Sequence, residues 1–325
     1  MSPIDLALSN LLSPPVLFFL LGLFAQLVRS DLTIPDAIAK ALSLYLLIAI
    51  GMKGGAAVAE AGVGQTLLAA IAAGIALSFL LPVVAFGWLR AVTRLPAVDA
   101  AAVAGHYGSI SVVTFVAATE VIREMGIGAD GWMVAVAAAM EAPAILTALL
   151  LAAWSGTATR AATGSLVREV AVNGSIVLLL GAFAIGAVTG KPGMEKVAPL
   201  IVDPFLGVLC VFLLEMGLKA GEGLRSATRE LGPRTLASGF VLPVVGALFG
   251  TLAAWLVGLG QGSAALMITL AASASYIAVP AALRVALPEA RPAVYLTLSL
   301  GITFPFNLTV GLPFYVWLAG RVAGG

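Results

Sequence analysis

The feature that most constrains this 325-residue chain is its succession of apolar runs long enough to cross a bilayer. A membrane-crossing helix needs about 20 mostly apolar residues. Ten stretches qualify: Leu11–Val28, Ile34–Met52, Thr66–Leu89, Leu95–Ile122, Trp132–Trp154, Val170–Val188, Val197–Leu218, Leu236–Leu259, Ala264–Leu287 and Ala293–Leu318. Numbered spans 1 to 10, they leave no room between them for a soluble domain. Composition agrees: 61% of residues are apolar and 10% charged, where a soluble domain carries roughly a quarter charged. The mean hydropathy of +1.09 excludes a water-soluble fold, and disorder needs the opposite balance. The 17 Lys and Arg are offset by 16 Asp and Glu with no basic tract, which argues against nucleic-acid binding. Met1–Asn10 lacks the basic region and cleavage site of a signal peptide, so the first run is read as a mature span. The lone Cys210 sits in an apolar run as core filler, with no disulfide framework and no thiolate metal site.

Lys and Arg in short loops set the orientation. With the N-terminus outside, eleven basic residues fall in cytoplasmic loops: Arg29, Arg90, Arg94, Arg160, Arg168, Lys219, Arg225, Arg229, Arg234, Arg284 and Arg291. Five fall outside: Lys53, Arg123, Lys191, Lys196 and Arg321. Both termini are therefore expected outside. The longest connector, roughly Ser155–Glu169, is small and polar. It divides an N-terminal five-helix unit (1–155) from a C-terminal one (170–325), with 156–169 as a short cytoplasmic linker.

The two units resemble each other. Ile50-Gly51-Met52-Lys53-Gly54-Gly55 closes span 2, and Met216-Gly217-Leu218-Lys219-Ala220-Gly221 closes span 7, 166 residues later. At that offset Gly108-Ser109-Ile110-Ser111 in span 4 faces Ala274-Ser275-Tyr276-Ile277 in span 9, and Ala142-Pro143 in span 5 parallels Phe304-Pro305 in span 10 at a similar one. A repeat of five spans must insert with opposite topology. Inverted repeats with a solute site at their interface are a transporter architecture.

Spans 4 and 9 carry helix-weakening residues near their middles. Gly105, Gly108, Ser109 and Ser111 crowd one; Ser273, Ser275 and Pro280 interrupt the other. Unwound backbone at that depth is tolerable only against protein or a wet cavity. Half-helix starts present free N–H groups and partial positive charge, so two of them can hold a small oxyanion with no buried Lys or Arg. The hydroxyls of Ser109, Ser111, Ser273 and Ser275 add donors, or with freed carbonyls supply oxygens to a sodium ion. The bland alternative is that small residues only let helices approach closely.

Ionisable residues within spans are functional hypotheses by default. Glu141, two residues before Pro143, is the foremost, and the facing position in span 10 is near Asn307. Together they supply oxygens for a cation, or Glu141 supplies a protonatable group; alternatively it only holds two helices together. Glu120 and Glu215, near span ends, are read as structural, Lys40 and Asp36 as an i,i+4 pair, and Asp203 as a local cap. The only histidine, His106, adjoins the break in span 4 and is a candidate proton group, with a packing role as the alternative. No transition-metal ligand set and no catalytic constellation is visible, and Gly190–Gly193 lacks the spacing of a phosphate loop. The chain is not expected to be an enzyme, and no organic cofactor is implied.

Together these residues resemble the sodium-dependent bicarbonate symporters best known from cyanobacteria. The resemblance rests on Ile34-Pro35-Asp36-Ala37-Ile38, the segments around Gly51 and Gly108, Met140-Glu141-Ala142-Pro143-Ala144, and the run from Ala271 to Arg284, in order across nearly the whole chain. It implies an inner-membrane homotrimer of ten-helix protomers. Spans 1, 2, 6 and 7 would form a gate, and spans 3–5 and 8–10 a mobile core that carries bicarbonate and sodium by an elevator-like shift. By position, Gly108, Ser109, Ser111 and Thr114 match one signature and Ser273 and Ser275 the other. Tyr276 stands where cyanobacterial members have Asp, and is taken with Gly108, Ser109, Ser111, Ser273 and Ser275 as a substrate-side residue. Thr114, Glu141, Ser273, Ser275 and Asn307 are taken as the ion-binding set. A PII-like regulatory protein binds the cytoplasmic face of cyanobacterial members and is a candidate partner, although the linker here is short. Two readings stand beside sodium-coupled bicarbonate uptake. One is a proton- or sodium-coupled carrier of another small monocarboxylate or anion; the other is an anion-binding membrane sensor.

Overall fold

The computed structural model describes residues 11–62, 64–156, 174–276, 279–280, 283 and 287–323; Met1–Asn10 and nearly all of the 156–169 linker lie outside them. The helices are α1 (Pro14–Leu27), α2 (Asp36–Ala61), α3 (Gln65–Val92), α4 (Ala97–Gly108), α5 (Val112–Glu124), α6 (Met133–Ala139), α7 (Glu141–Trp154), α8 (Gly174–Ile201), α9 (Phe205–Glu230), α10 (Pro233–Val257), α11 (Gln261–Ala272) and α12 (Pro292–Val322). There is no strand among the described residues. Several helices open on proline: Pro14 in α1, Pro233 in α10 and Pro292 in α12. The missing N–H costs nothing in a first turn, where it would have no partner.

Among the described residues seven helical stretches are long and apolar enough to cross a membrane, counting α4 with α5 and α6 with α7 as one each. The chain is an all-helical, multi-pass membrane protein. Of the other expected spans, α1 and α11 are shorter apolar helices, and α9 carries Glu215, Lys219 and Glu222.

The structure redraws three details. Span 7 does not start at Val197. Helix α8 runs to Ile201 through a kink at Gly190 (φ 57°), and α9 begins only at Phe205. The apolar residues after Lys196 complete one helix before the turn instead of starting the next. Span 5 is divided at Met140, between α6 and α7. Span 10 contains two π-helical stretches, Thr297–Thr303 and Asn307–Gly311, on either side of Phe304-Pro305-Phe306. The expected Asp36–Lys40 pair is absent: Asp36 lies 3.7 Å from Lys219 of α9, which also binds Glu215 at 2.5 Å. Lys40 points to the exterior.

Packing gathers the helices into two groups that meet chiefly where α9 lies on α12. In one, α2 runs along α8 and α1 along α9, with α9 also touching α2. In the other, α3 packs on α4, α6 and α7, and α10 and α12 pack on α11, with α3 and α10 joining the two sets. The first group is held by close backbone approach. A Cβ on Gly55 of α2 would lie 1.9 Å from the Phe183 carbonyl oxygen of α8, and one on Gly217 of α9 would lie 2.1 Å from that of Phe19 in α1. Only glycine permits such contacts, and lipid offers no hydrophobic drive to replace them. Broken span 4 is central, with 94% of its most apolar window buried; the corresponding window of α8 is 17% buried, and its Val177, Leu180, Ile185 and Val188 face outward.

Candidate functional site

Both suspected helix interruptions are present. Helix α4 ends at Gly108, Ser109 and Ser111 are extended (ψ 155° and 107°), and α5 starts at Val112. The Ser111 Oγ caps α5, accepting from the Thr114 N–H at 3.2 Å and from its hydroxyl at 2.9 Å. Serine suits this place because its hydroxyl satisfies an N–H that a helix start leaves without a partner. Helix α11 ends at Ala272, Ser273 is extended (ψ 164°), and helix resumes at residues 279–280.

The two extended segments are joined to each other. The Ser111 N–H donates to the Ser273 Oγ at 2.9 Å, and that hydroxyl donates to the Leu270 carbonyl at 2.9 Å. The Ser275 N–H donates to the His106 carbonyl at 2.8 Å, and the His106 Nδ1 bonds the Ser275 carbonyl in return. Gly108 lies beneath the crossing, where a Cβ would fall 2.1 Å from the Pro82 ring of α3.

Beside the crossing is a cavity. Ile110, Ser111, Val112, Val113, Glu141, Ser275 and Tyr276 line it on one side, and Ser43, Leu46 and Leu47 of α2 with Phe212 of α9 on the other. It therefore lies between the two helix groups. About 20 Å³ of it is wide enough for the centre of a water-sized sphere, room for a water or a small bare ion. The N–H groups of Val112 and Val113, in the first turn of α5, have no acceptor within their own helix, and both residues border this space. They give it partial positive charge. Among the described residues no Lys or Arg lines it, and Glu141 is the one carboxylate.

Four buried polar atoms around the crossing have no hydrogen-bond partner among the described residues: Ser109 Oγ, Glu141 Oε2, Tyr276 OH and His106 Nε2. The Tyr276 hydroxyl lies near Ser111 without bonding it. Buried polar groups are nearly always satisfied, so this concentration marks a place suited to a polar solute. The free N–H groups and hydroxyls suit a small oxyanion, and the Glu141 and serine oxygens suit a hard cation.

The structure thus brings Ser111, Ser275, Tyr276 and Glu141 to one cavity. Gly108, Ser109, His106 and Ser273 surround it without lining it. Thr114 and Asn307 do not line it either. The Thr114 hydroxyl donates to Ser111. The Asn307 amide donates to the last carbonyl of α11, Ala272, at 2.9 Å, and its Oδ1 accepts from Tyr315 OH at 2.7 Å. Glu120 pairs with Arg123 and Glu215 with Lys219.

Two braces went unseen in the sequence. Buried Asp99, in the first turn of α4, receives the Arg291 backbone N–H at 2.8 Å, its Nε at 2.8 Å and a terminal guanidinium nitrogen at 2.7 Å. Arg291 immediately precedes α12. In the same way Ser263, in the first turn of α11, donates to the Asp130 carboxylate at 2.7 Å and accepts its N–H at 2.9 Å, just before α6. An acid inside span 4 was the one signal available for the first.

Apolar helices in two groups, with broken helices joined beside a buried polar cavity where the groups meet, define a membrane protein of the transporter class. The sequence pattern of the Na+-dependent bicarbonate transporter superfamily matches residues 14–320, and the chain belongs to that superfamily. No curated protein matches the chain.

Proposed function

We propose that this protein is a secondary active transporter that uses the sodium gradient to drive bicarbonate uptake across the bacterial inner membrane. One observation carries the proposal: a cavity with a helix start and one carboxylate lies between the joined broken segments and helices α2 and α9. The space as it stands takes one small ion, so bicarbonate enters when the core moves away from α2 and α9, and then rests against the first turn of α5 beside Ser111 and Ser275. Sodium sits among oxygens that include Glu141. A co-bound cation lowers the cost of moving an anion through a low-dielectric interior, which is the physical reason to couple them.

The chain crosses the membrane ten times as two inverted five-helix repeats, both termini outside. The packing supports this: the α2–α8 pair mirrors the α9–α1 pair when the halves are exchanged, and Gly51 and Gly217, 166 residues apart, both meet backbone of the opposite half. The α1, α2, α8 and α9 group acts as the gate and the other helices as the core that shifts against it. The apolar outer face of α8 is available to a trimer. A PII-like regulator, if kept, docks on the cytoplasmic face.

Radiolabelled bicarbonate uptake into proteoliposomes tests the coupling. Uptake is expected to accelerate with an inward sodium gradient; equal rates with and without it would exclude symport. A second reading is favoured by the bare Glu141 Oε2 and His106 Nε2: a proton-coupled carrier of another small monocarboxylate. Uptake after a pH jump in sodium-free vesicles separates the two.

A further inference from the structure

The geometry points to His106 as a positioning residue that fixes the cavity wall from behind, by fastening the Ser275 peptide of the other half of the chain. His106 is fully buried near the end of α4. It exchanges two hydrogen bonds with Ser275, 169 positions away: its carbonyl accepts the Ser275 N–H at 2.8 Å, and its Nδ1 bonds the Ser275 carbonyl. A carbonyl only accepts, so Nδ1 carries the hydrogen of this bond; Nε2 has no partner among the described residues. The ring lies flat on Tyr295 of α12, with centroids 4.6 Å apart and planes 25° from parallel.

These contacts hold the peptide groups on both sides of Ser275. Ser275 and Tyr276 line the cavity and His106 does not, so its influence on a bound solute passes through the backbone it holds. The Ser273 hydroxyl fastens the same segment to the Ser111 N–H. The ring bond therefore sets the direction of the Ser275 carbonyl in a segment already tethered upstream. A flat donor is required, since the ring must lie on Tyr295 and reach the carbonyl together.

The bond is tested in the full-length protein in lipid nanodiscs, by hydrogen exchange over Ser273–Tyr276 in His106→Ala, His106→Asn and His106→Gln. The Asn amide nitrogen falls near the position of Nδ1, whereas that of Gln falls near Nε2. Alanine is expected to speed exchange about tenfold, the factor carried by one net hydrogen bond, with Gln resembling Ala and Asn staying near wild type. The bicarbonate KM in proteoliposomes is expected to follow the same order. Exchange in His106→Ala equal to wild type, or Asn and Gln behaving alike, would overturn the assignment. If His106→Ala does not fold, the Asn and Gln comparison decides. The KM arm rests on the proposed transport activity. Should wild type fail to carry bicarbonate, that activity falls, and exchange still decides the role of His106.

Discussion

Ser273→Ala isolates the link between the broken segments. The Ser273 hydroxyl is the acceptor for the Ser111 N–H at 2.9 Å, and Ser273 and Ser111 are 1% and 4% exposed. Its own donation goes to Leu270, three residues back in the same helix, and matters less because that carbonyl stays at a helix end. Alanine therefore leaves one buried N–H unsatisfied, at about 1–3 kcal/mol. The adjoining cavity can admit a water, which favours the lower half of that range. At about 1–2 kcal/mol the ratio of joined to separated segments falls roughly 5–30-fold. If solute binds only to joined segments, the KM for sodium-driven bicarbonate uptake rises by up to that factor. Ser273→Thr keeps the acceptor and should stay near wild type. Concentration-dependent uptake into proteoliposomes, with thermal unfolding of the same preparation, measures both effects. A Ser273→Ala protein with wild-type KM and melting temperature would refute the reasoning.

Ser109→Ala removes a buried hydroxyl with no hydrogen-bond partner among the described residues; uptake should fall while the melting temperature holds, and a drop in both would assign Ser109 to the fold. Arg291→Ala strips two guanidinium bonds from Asp99 but keeps the backbone one. With the arginine side chain 54% exposed, the loss is set at about 1–3 kcal/mol, below that of a fully buried pair, and thermal unfolding reads it; Arg291→Lys should restore only part, since an ammonium lacks the fork. Gly217→Ala drives a methyl to 2.1 Å from the Phe19 carbonyl and should destabilise by about 1–3 kcal/mol. Gly207→Ala, on the same helix with nothing within 4 Å of the new Cβ, should be neutral or stabilising by up to about 1 kcal/mol; equal melting temperatures for the two would refute the close-packing argument.

Much of the core of this protein was legible because its signals are local. Gly108, Ser109 and Ser111 weaken a helix by their own chemistry, and the chain opens there. The same holds at Ser273 and Ser275. What depended on partners far along the chain was not legible. Nothing near Asp36 announces Lys219, and nothing near Asp99 announces Arg291. That the Asn307 amide donates to the end of α11 is likewise set by tertiary packing. The split at Met140 did have a local signal, Pro143, which brings no N–H to the Ala139 carbonyl and crowds it. Hydropathy, however, cannot separate a helix that continues past Gly190 from one that restarts.

The Asp99–Arg291 brace also bears on synthesis. Its partners are 192 positions apart, and translation at roughly 5–20 residues per second separates their emergence by about 10–40 s. For that interval the acid at the head of α4 must be tolerated without its guanidinium. The first half of the chain waits in the bilayer as an unfinished piece, fastened only once the ribosome has passed Arg291.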